Sequence, residues 1–149
     1  MFRGWFEHLL DTKGRAAIPS TFRDNLAQAG DERLVITTAL SGDHLVAYPL
    51  SKWLAFEERV RSQLPQFDAN VERFRRLYIG GAMECGFDKL GRLVIPANLR
   101  EAADLTKEIV FVGDIEKFAI WSKERWSETQ RVDQSQRDSM QDTLANLGL

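Results

Sequence analysis

Apolar residues along this chain fall into short runs broken by Asp- and Gly-bearing turns, and the same order of runs occurs twice. Near the start, Trp5-Phe6-Glu7-His8-Leu9-Leu10 and Arg15-Ala16-Ala17-Ile18 flank the tetrad Asp11-Thr12-Lys13-Gly14. An Asp that opens a turn hydrogen-bonds backbone two residues on, and a Gly that closes it accepts positive φ at little cost. The two runs are therefore predicted as a β-hairpin with a short bulged loop. Pro19 ends the second arm and pre-sets φ for a short helix, on which Phe22 and Leu26 share a buried face at i,i+4 spacing. Two further strands follow, at Leu34-Val35-Ile36 and Leu45-Val46-Ala47-Tyr48.

The second pass repeats this order. Residues 11–23, DTKGRAAIPSTFR, align without gaps on residues 88–100, DKLGRLVIPANLR, with six of 13 positions identical. Ordinary composition gives roughly one match or fewer over that length. Pro96 again precedes a short helix, with Leu99 and Ala103 as its buried face, and strands follow at Ile109-Val110-Phe111-Val112 and Phe118-Ala119-Ile120-Trp121. Trp53 and Trp126 stand at the same distance after the last strand of each copy. A long internal period of this kind organises the whole fold. The expected architecture is mostly β with short helices (α+β). It has one module at residues 5–53, a helical hairpin at 54–80, a second module at 81–126 and a polar tail at 127–149 that is frayed or partly helical. In the hairpin, Ser51 is the expected N-cap of a helix carrying Trp53, Phe56, Val60 and Leu64 and stopped before Pro65. Its partner starts near Asp68 or Asn70, shows Val71, Phe74, Leu77 and Tyr78, and stops at Gly80-Gly81.

Composition narrows the function. With 149 residues the chain makes one ordinary domain or two small ones, and 44% apolar content excludes general disorder. No apolar stretch approaches the length of a membrane span, and Met1-Phe2-Arg3-Gly4-Trp5 lacks the layout of a signal peptide. A lone Cys85 forms no internal disulfide, which suits a reducing cytoplasm, and one Cys with two His (His8, His44) is too few ligands for a cysteine-based zinc site. The net charge is −2, carried by residues 127–149, while residues 1–23 are locally +2. A near-neutral chain binds nucleic acid only where its cations share an edge.

The strongest chemical signal is the pair of turn-borne cations, Lys13 with Arg15 and Lys89 with Arg92. At a hairpin tip these side chains reach a phosphodiester backbone, and Arg adds a bidentate fork for phosphate or guanine. The competing reading is that Asp11–Arg15 and Asp88–Arg92 are ion pairs bracing the turns, worth ~0–1 kcal/mol each where exposed. Residues alone leave both readings open. Cys85 reads as a small buried hydrophobe without a catalytic partner, and Gly80-Gly81 as a helix stop lacking a Gly-Lys-Ser/Thr continuation. The four tryptophans read as core, and Arg73-Phe74-Arg75-Arg76 as a solvated helix face with a phosphate or partner contact as the minority reading. No enzyme constellation, metal site, cofactor site or small-molecule site emerges.

Taken together, Phe2-x-Gly4, His8-x-Leu10-Asp11-x-Lys13-Gly14-Arg15-x-x-Ile18-Pro19-x-x-Phe22-Arg23 resembles the opening of the MraZ family. Gly81-Ala82-x-Glu84, Asp88-x-x-Gly91-Arg92-x-x-Ile95-Pro96, Leu99-Arg100, Leu105-x-Lys107-Glu108 and Phe118-x-Ile120-Trp121 extend the likeness to about residue 126. Leu90, at a turn position that tolerates polar residues, and the tail are the departures. The resemblance implies two SpoVT-AbrB modules packed as a double-split (swapped-hairpin) β-barrel. It also implies a ring-shaped homo-oligomer, cytoplasmic and nucleoid-associated, that binds double-stranded DNA at direct repeats upstream of its own division and cell-wall gene cluster. The family acts as a transcriptional regulator, usually a repressor, through D-x-x-x-R loops. Carried over, Arg15 ranks first among DNA contacts, then Lys13, with Thr12 and the Gly14 amide as phosphate donors. Arg92 and Lys89 rank lower, because the second hairpin could point elsewhere in the ring. Asp11, Asp88 and Gly91 shape the turns, and Trp5, Phe6 and the linker helices are candidates for the subunit interface. The alternative from another class is an antitoxin-like or scaffold module that binds protein.

Overall fold

In the computed structural model, which describes residues 1–149, the doubled order of runs becomes a doubled order of elements. The first copy contributes β1 (Trp5–Leu9), β2 (Arg15–Ala16), α1 (Ser20–Ala29), β3 (Leu34–Thr38) and β4 (Leu45–Pro49). The second contributes β5 (Met83–Cys85), β6 (Leu93–Val94), α4 (Ala97–Ala102), β7 (Glu108–Asp114) and β8 (Lys117–Ser122). Between them lie α2 (Leu50–Gln63) and α3 (Ala69–Phe74), the latter continuing into a π-helical turn, Arg75–Ile79. After β8 come α5 (Lys123–Ser135), α6 (Arg137–Thr143) and a short 3₁₀ turn, Ala145–Leu147.

The arms of the predicted hairpins pair only beside the turns, where the Asp11 and Asp88 amides donate to the Arg15 and Arg92 carbonyls and Phe87 bridges Leu93, and beyond that they part. β1 runs antiparallel to β7 of the other copy, from Trp5 opposite Val112 to Leu9 opposite Glu108. β5 pairs with β3, β4 with β8, and β2 with β6. Only β3–β4 and β7–β8 are hairpins within one copy. The main sheet has the order β1-β7-β8-β4-β3-β5, and β2–β6 forms a separate two-stranded ladder. Turn chemistry dictates only the turn: beyond it the arms diverge because their apolar residues are buried in a core that both copies build. The ladder does not close into a barrel, since β1 and β5 remain as edges. Helices hold more residues than strands, so the fold is mixed α and β rather than mostly β. The linker and the tail, which the strand-centred repeat does not include, supply the difference.

One cluster of 20 buried residues draws on both copies. At its centre Phe22 of α1 packs edge-on to Phe2 (5.1 Å between ring centres) and Phe6 (5.4 Å) and tilted against Phe118 (5.0 Å), with Phe111 5.9 Å from Phe118. Such ring geometry adds to the burial of large apolar area. Leu26, Leu99 and Ala103 are buried as the spacing requires. A smaller cluster of Val35, Trp53 and Tyr78 seats the helical hairpin on the outer face of β3 and β4. There the Tyr48 and Tyr78 hydroxyls lie 2.8 Å apart, and the Thr37 hydroxyl donates to the Tyr78 carbonyl at 2.6 Å.

Several local expectations change. The residue before α2 is Pro49, and Ser51 lies inside the helix, where its hydroxyl donates to Asp31 Oδ2 (2.8 Å). Asp68, one of the two residues expected to start the next helix, caps α3 by accepting from the Asn70 and Val71 amides. Leu64 and Leu77 lie exposed, and so does Trp5 (61%), whose ring stands 5.6 Å from the half-buried Trp126. Trp53 and Trp121 are core. The tail is helical, and α5, capped by Ser122, runs across residue 127.

Because the core is shared, Phe22→Ala and Phe111→Ala should each cost ~3–5 kcal/mol and shift the same urea transition. Phe67→Ala, at an exposed position after α2, should stay within about 0.5 kcal/mol. Fluorescence and circular dichroism should report one coincident transition; two resolved transitions would show that the copies fold independently.

Candidate nucleic-acid interface

Each D-x-x-x-R turn is organised by its aspartate. Asp11 Oδ1 accepts from the Lys13 amide (3.0 Å) and the Arg15 amide (2.9 Å), while Oδ2 accepts from Arg15 Nε (2.7 Å). Asp88 repeats this with the Leu90 and Arg92 amides (both 2.9 Å) and Arg92 Nε (2.8 Å). Gly14 and Gly91 close the turns at φ of 83° and 75°, donating their amides to the Asp11 and Asp88 carbonyls. The hydrogen bond from the Arg15 amide, foremost, holds the Asp11 carboxyl below the ordinary aspartate range, and the Arg92 amide does the same for Asp88.

The bracing ion pairs weighed from sequence are thus formed, and they leave the terminal nitrogens of Arg15 unclaimed. Arg15 commits Nε to Asp11, its two Nη groups have no protein partner, and its side chain is 32% exposed. Arg92 is more engaged, with Nη2 2.8 Å from Asp88 and Nη1 3.7 Å from Asp11. Lys13 and Lys89 are exposed and in no ion pair, and the exposed Thr12 hydroxyl has no protein partner. The Gly14 amide, expected as a phosphate donor, is spent on Asp11 and buried, so it is not free to meet a phosphate. Leu90, 74% exposed, takes the place that Lys13 has in the first turn.

Pairing of Arg15–Ala16 with Leu93–Val94 sets the two turns side by side. Asp11 Oδ2 lies within 2.7 Å of Arg15 and 3.7 Å of Arg92, so both guanidinium groups share it. The second turn, expected to be capable of pointing elsewhere, stands beside the first. Two more cations join them. Arg23 donates to the Gly91 carbonyl and Arg100 to the Thr12 carbonyl, each reaching the turn of the opposite copy. Neither was among the expected site residues, although both are the final identical position of the 13-residue repeat. Six cationic side chains (Lys13, Arg15, Arg23, Lys89, Arg92, Arg100) thus lie in or against the two turns, whose own carboxylates are Asp11 and Asp88.

The other residues singled out lie apart from this edge. Cys85 is buried in β5, and burial pushes its thiol up to about 11, leaving it protonated at neutral pH. His44 stacks on Trp121 at 4.0 Å and meets Asp43 Oδ1 at 2.7 Å, while burial lowers the His8 pKa on β1. Arg73 donates to Asn70 and Arg75 to the Gln66 carbonyl on the exposed linker face. No helix is long and apolar enough to cross a membrane.

Comparison with known proteins matches the doubled architecture. The family model described as "MraZ protein, putative antitoxin-like" matches this chain twice, over residues 1–77 and 78–147. The chain belongs to the MraZ family. A protein of Pediococcus pentosaceus named transcriptional regulator MraZ is 45% identical over 149 residues, the full length of both chains. Proteins of the same name from Lachnoclostridium phytofermentans and Geotalea uraniireducens are 42% and 40% identical, covering all of this chain and 99% and 100% of their own. MraZ relatives are thus named as regulators and not as enzymes.

Depressed native pKa values mean that the ionised turns of this MraZ chain add stability above the ordinary aspartate value of ~3.9. That contribution is lost as pH falls through the lower native values. Asp11→Asn and Asp88→Asn should therefore be less stable than the parent at pH 7 and approach it at acid pH, in urea titrations run side by side. Gly14→Ala should be the more damaging glycine change. Its Cβ would lie 2.5 Å from the Ile95 carbonyl oxygen, whereas one at Gly91 meets only the flexible end of Arg23 at 3.3 Å. Thermal melts should rank Gly14→Ala below Gly91→Ala, with the latter costing ~1–2 kcal/mol for its positive φ.

Proposed function

We propose that this chain is a DNA-binding transcriptional regulator that lays the joined edge of its two D-x-x-x-R turns across double-stranded DNA. The observation that carries this reading is the pairing of Arg15 and Arg92 over one shared carboxylate, with the Nη groups of Arg15 unclaimed. A guanidinium held at Nε and open at both Nη positions is pre-organised for a bidentate contact with a phosphate or with guanine O6 and N7. Lys13 and Lys89 act as point charges on flanking phosphates, and Thr12 offers its hydroxyl. Asp11, Asp88, Gly14 and Gly91 shape the turns.

The names of the relatives support a regulator, and the cations gathered on the two turns support a polyanionic partner. The finer picture follows the family. Two SpoVT-AbrB modules, residues 5–53 and 81–126, are joined by the helical hairpin 54–80 and followed by the tail 127–149. The exchange of strands between copies supports the double-split (swapped-hairpin) packing of these modules. A ring-shaped homo-oligomer in the cytoplasm, nucleoid-associated, would align several such edges along direct repeats upstream of its own division and cell-wall cluster. Weak contacts from several subunits then add through effective concentration, and occupancy of the upstream region represses transcription.

Gel-shift titration on a duplex carrying the chain's own upstream region tests this. Arg15→Ala should weaken binding ~10–100-fold for each subunit engaged, the range for losing one bidentate contact. Lys13→Ala should weaken it less and lower the slope of log K against log salt by about 0.9 for each subunit engaged. Unchanged affinity in both variants at matched salt removes the turns from the mechanism. A stoichiometric protein partner on purification, with no binding to the upstream duplex, would favour the antitoxin-like or scaffold alternative instead.

A further inference from the structure

Arg23 and Arg100 close the repeated 13-residue segments, yet each reaches across to the turn of the other copy. Arg23 Nη2 donates to the Gly91 carbonyl at 2.8 Å. Arg100 is anchored by Nε on the Ile95 carbonyl (3.0 Å) and extends Nη1 to the Thr12 carbonyl at 3.5 Å. Each arginine also lies over the glycine of the turn it reaches: a Cβ on Gly14 would stand 2.8 Å from Arg100 Nε, and one on Gly91 3.3 Å from Arg23 Nη2.

The carbonyls that these arginines hold are not arbitrary. The Gly91 carbonyl belongs to the same planar peptide unit as the Arg92 amide, and that amide donates to Asp88 Oδ1 at 2.9 Å. Likewise the Thr12 carbonyl shares a peptide plane with the Lys13 amide, which donates to Asp11 Oδ1 at 3.0 Å. Each clamp thus pins one end of a peptide whose other end is pinned by the turn's aspartate. The aspartate in turn fixes the Nε of the outward arginine. The Thr12–Lys13 peptide is central to its turn and can rotate between turn types when its carbonyl is free. The Gly91–Arg92 peptide follows a glycine at φ 75°, whose backbone is the softest in its turn. Movement of either would release the aspartate and the arginine with it.

We infer that Arg23 and Arg100 are positioning residues, each setting the outward arginine of the opposite copy: Arg23 sets Arg92, and Arg100 sets Arg15. The consequence for DNA binding rests on the function proposed above; the clamp itself does not. Because each turn is locked from the other copy, the two turns present a single rigid surface.

The test reads the free protein first. Arg23→Ala should move the Nε–Hε resonance of Arg92 more than that of Arg15, which feels it only through the shared Asp11 carboxylate, and Arg100→Ala should do the reverse, with the core resonances unchanged. Shifts confined to the same copy, or none, overturn the clamp whether or not the protein binds DNA. On a duplex of the chain's own upstream region, Arg23→Ala should weaken binding about tenfold. Arg23→Lys should restore binding only in so far as it returns the Arg92 Nε–Hε resonance to its parent position, since one ammonium N–H can replace the single bond to the Gly91 carbonyl. Restoration of binding by lysine while that resonance stays displaced would make Arg23 a direct phosphate contact and overturn the positioning role. Losses from Arg23→Ala and Arg92→Ala should be less than multiplicative, and those from Arg23→Ala and Arg15→Ala multiplicative. Multiplicative losses in both pairs would overturn the assignment. A parent protein that leaves the duplex unbound removes the DNA reading and leaves the clamp to be judged by the resonances alone.

Discussion

A ladder of four residues, Arg15–Ala16 against Leu93–Val94, is the constraint from which the functional edge of this molecule follows. Without it, two similar turns would project from two similar modules in unrelated directions. With it, the guanidinium groups of Arg15 and Arg92 come close enough to share the Asp11 carboxylate, and the closing arginines fall over the opposite turns. The ladder is held in turn by the core on either side of it, since Ala16 and Leu93, paired across it, are both fully buried. Packing and charge therefore depend on one another here: apolar burial drives the copies together and brings like charges side by side, and the turn aspartates offset the repulsion.

Bracing and binding are divided between nitrogens of the same side chain. Nε of each arginine is committed to its own turn, which orients the guanidinium, while the terminal nitrogens of Arg15 remain available. Ion pairs that contribute little to stability where exposed thus gain importance as orienting devices. Net charge conceals this arrangement. The excess acid of the chain lies in residues 127–149, remote in sequence from the two turns.

The repeat, the turns, the positive φ at Gly14 and Gly91 and the buried faces of α1 and α4 were all legible, because each depends on residues close together in sequence. What was not legible is which strand each arm would choose. Turn chemistry in Asp11–Gly14 specifies a reversal of the chain, but the ladders of β1 with β7 and β2 with β6 are set by a core common to both copies. The same gap hid the roles of Arg23 and Arg100, whose partners lie 68 and 88 positions away. Their place at the last identical position of the repeat was the available signal. Trp5 misled because an aromatic on an edge strand has the same local pattern as one in the core, and its exposure is decided by what packs beside β1. The Gly14 amide misled because an Asp-led turn consumes its own donors.

In the binding mode proposed here, both turns of one chain meet the same stretch of duplex. Affinity cleavage tests it most directly: an iron-chelate cleavage reagent is tethered to Lys13→Cys in one protein and to Lys89→Cys in another, the native Cys85 being buried. Each is bound to end-labelled DNA of the upstream region. Strand cleavage should centre on overlapping positions from both tethers. Cleavage from Lys13→Cys alone, or at well-separated positions for the two, would contradict it.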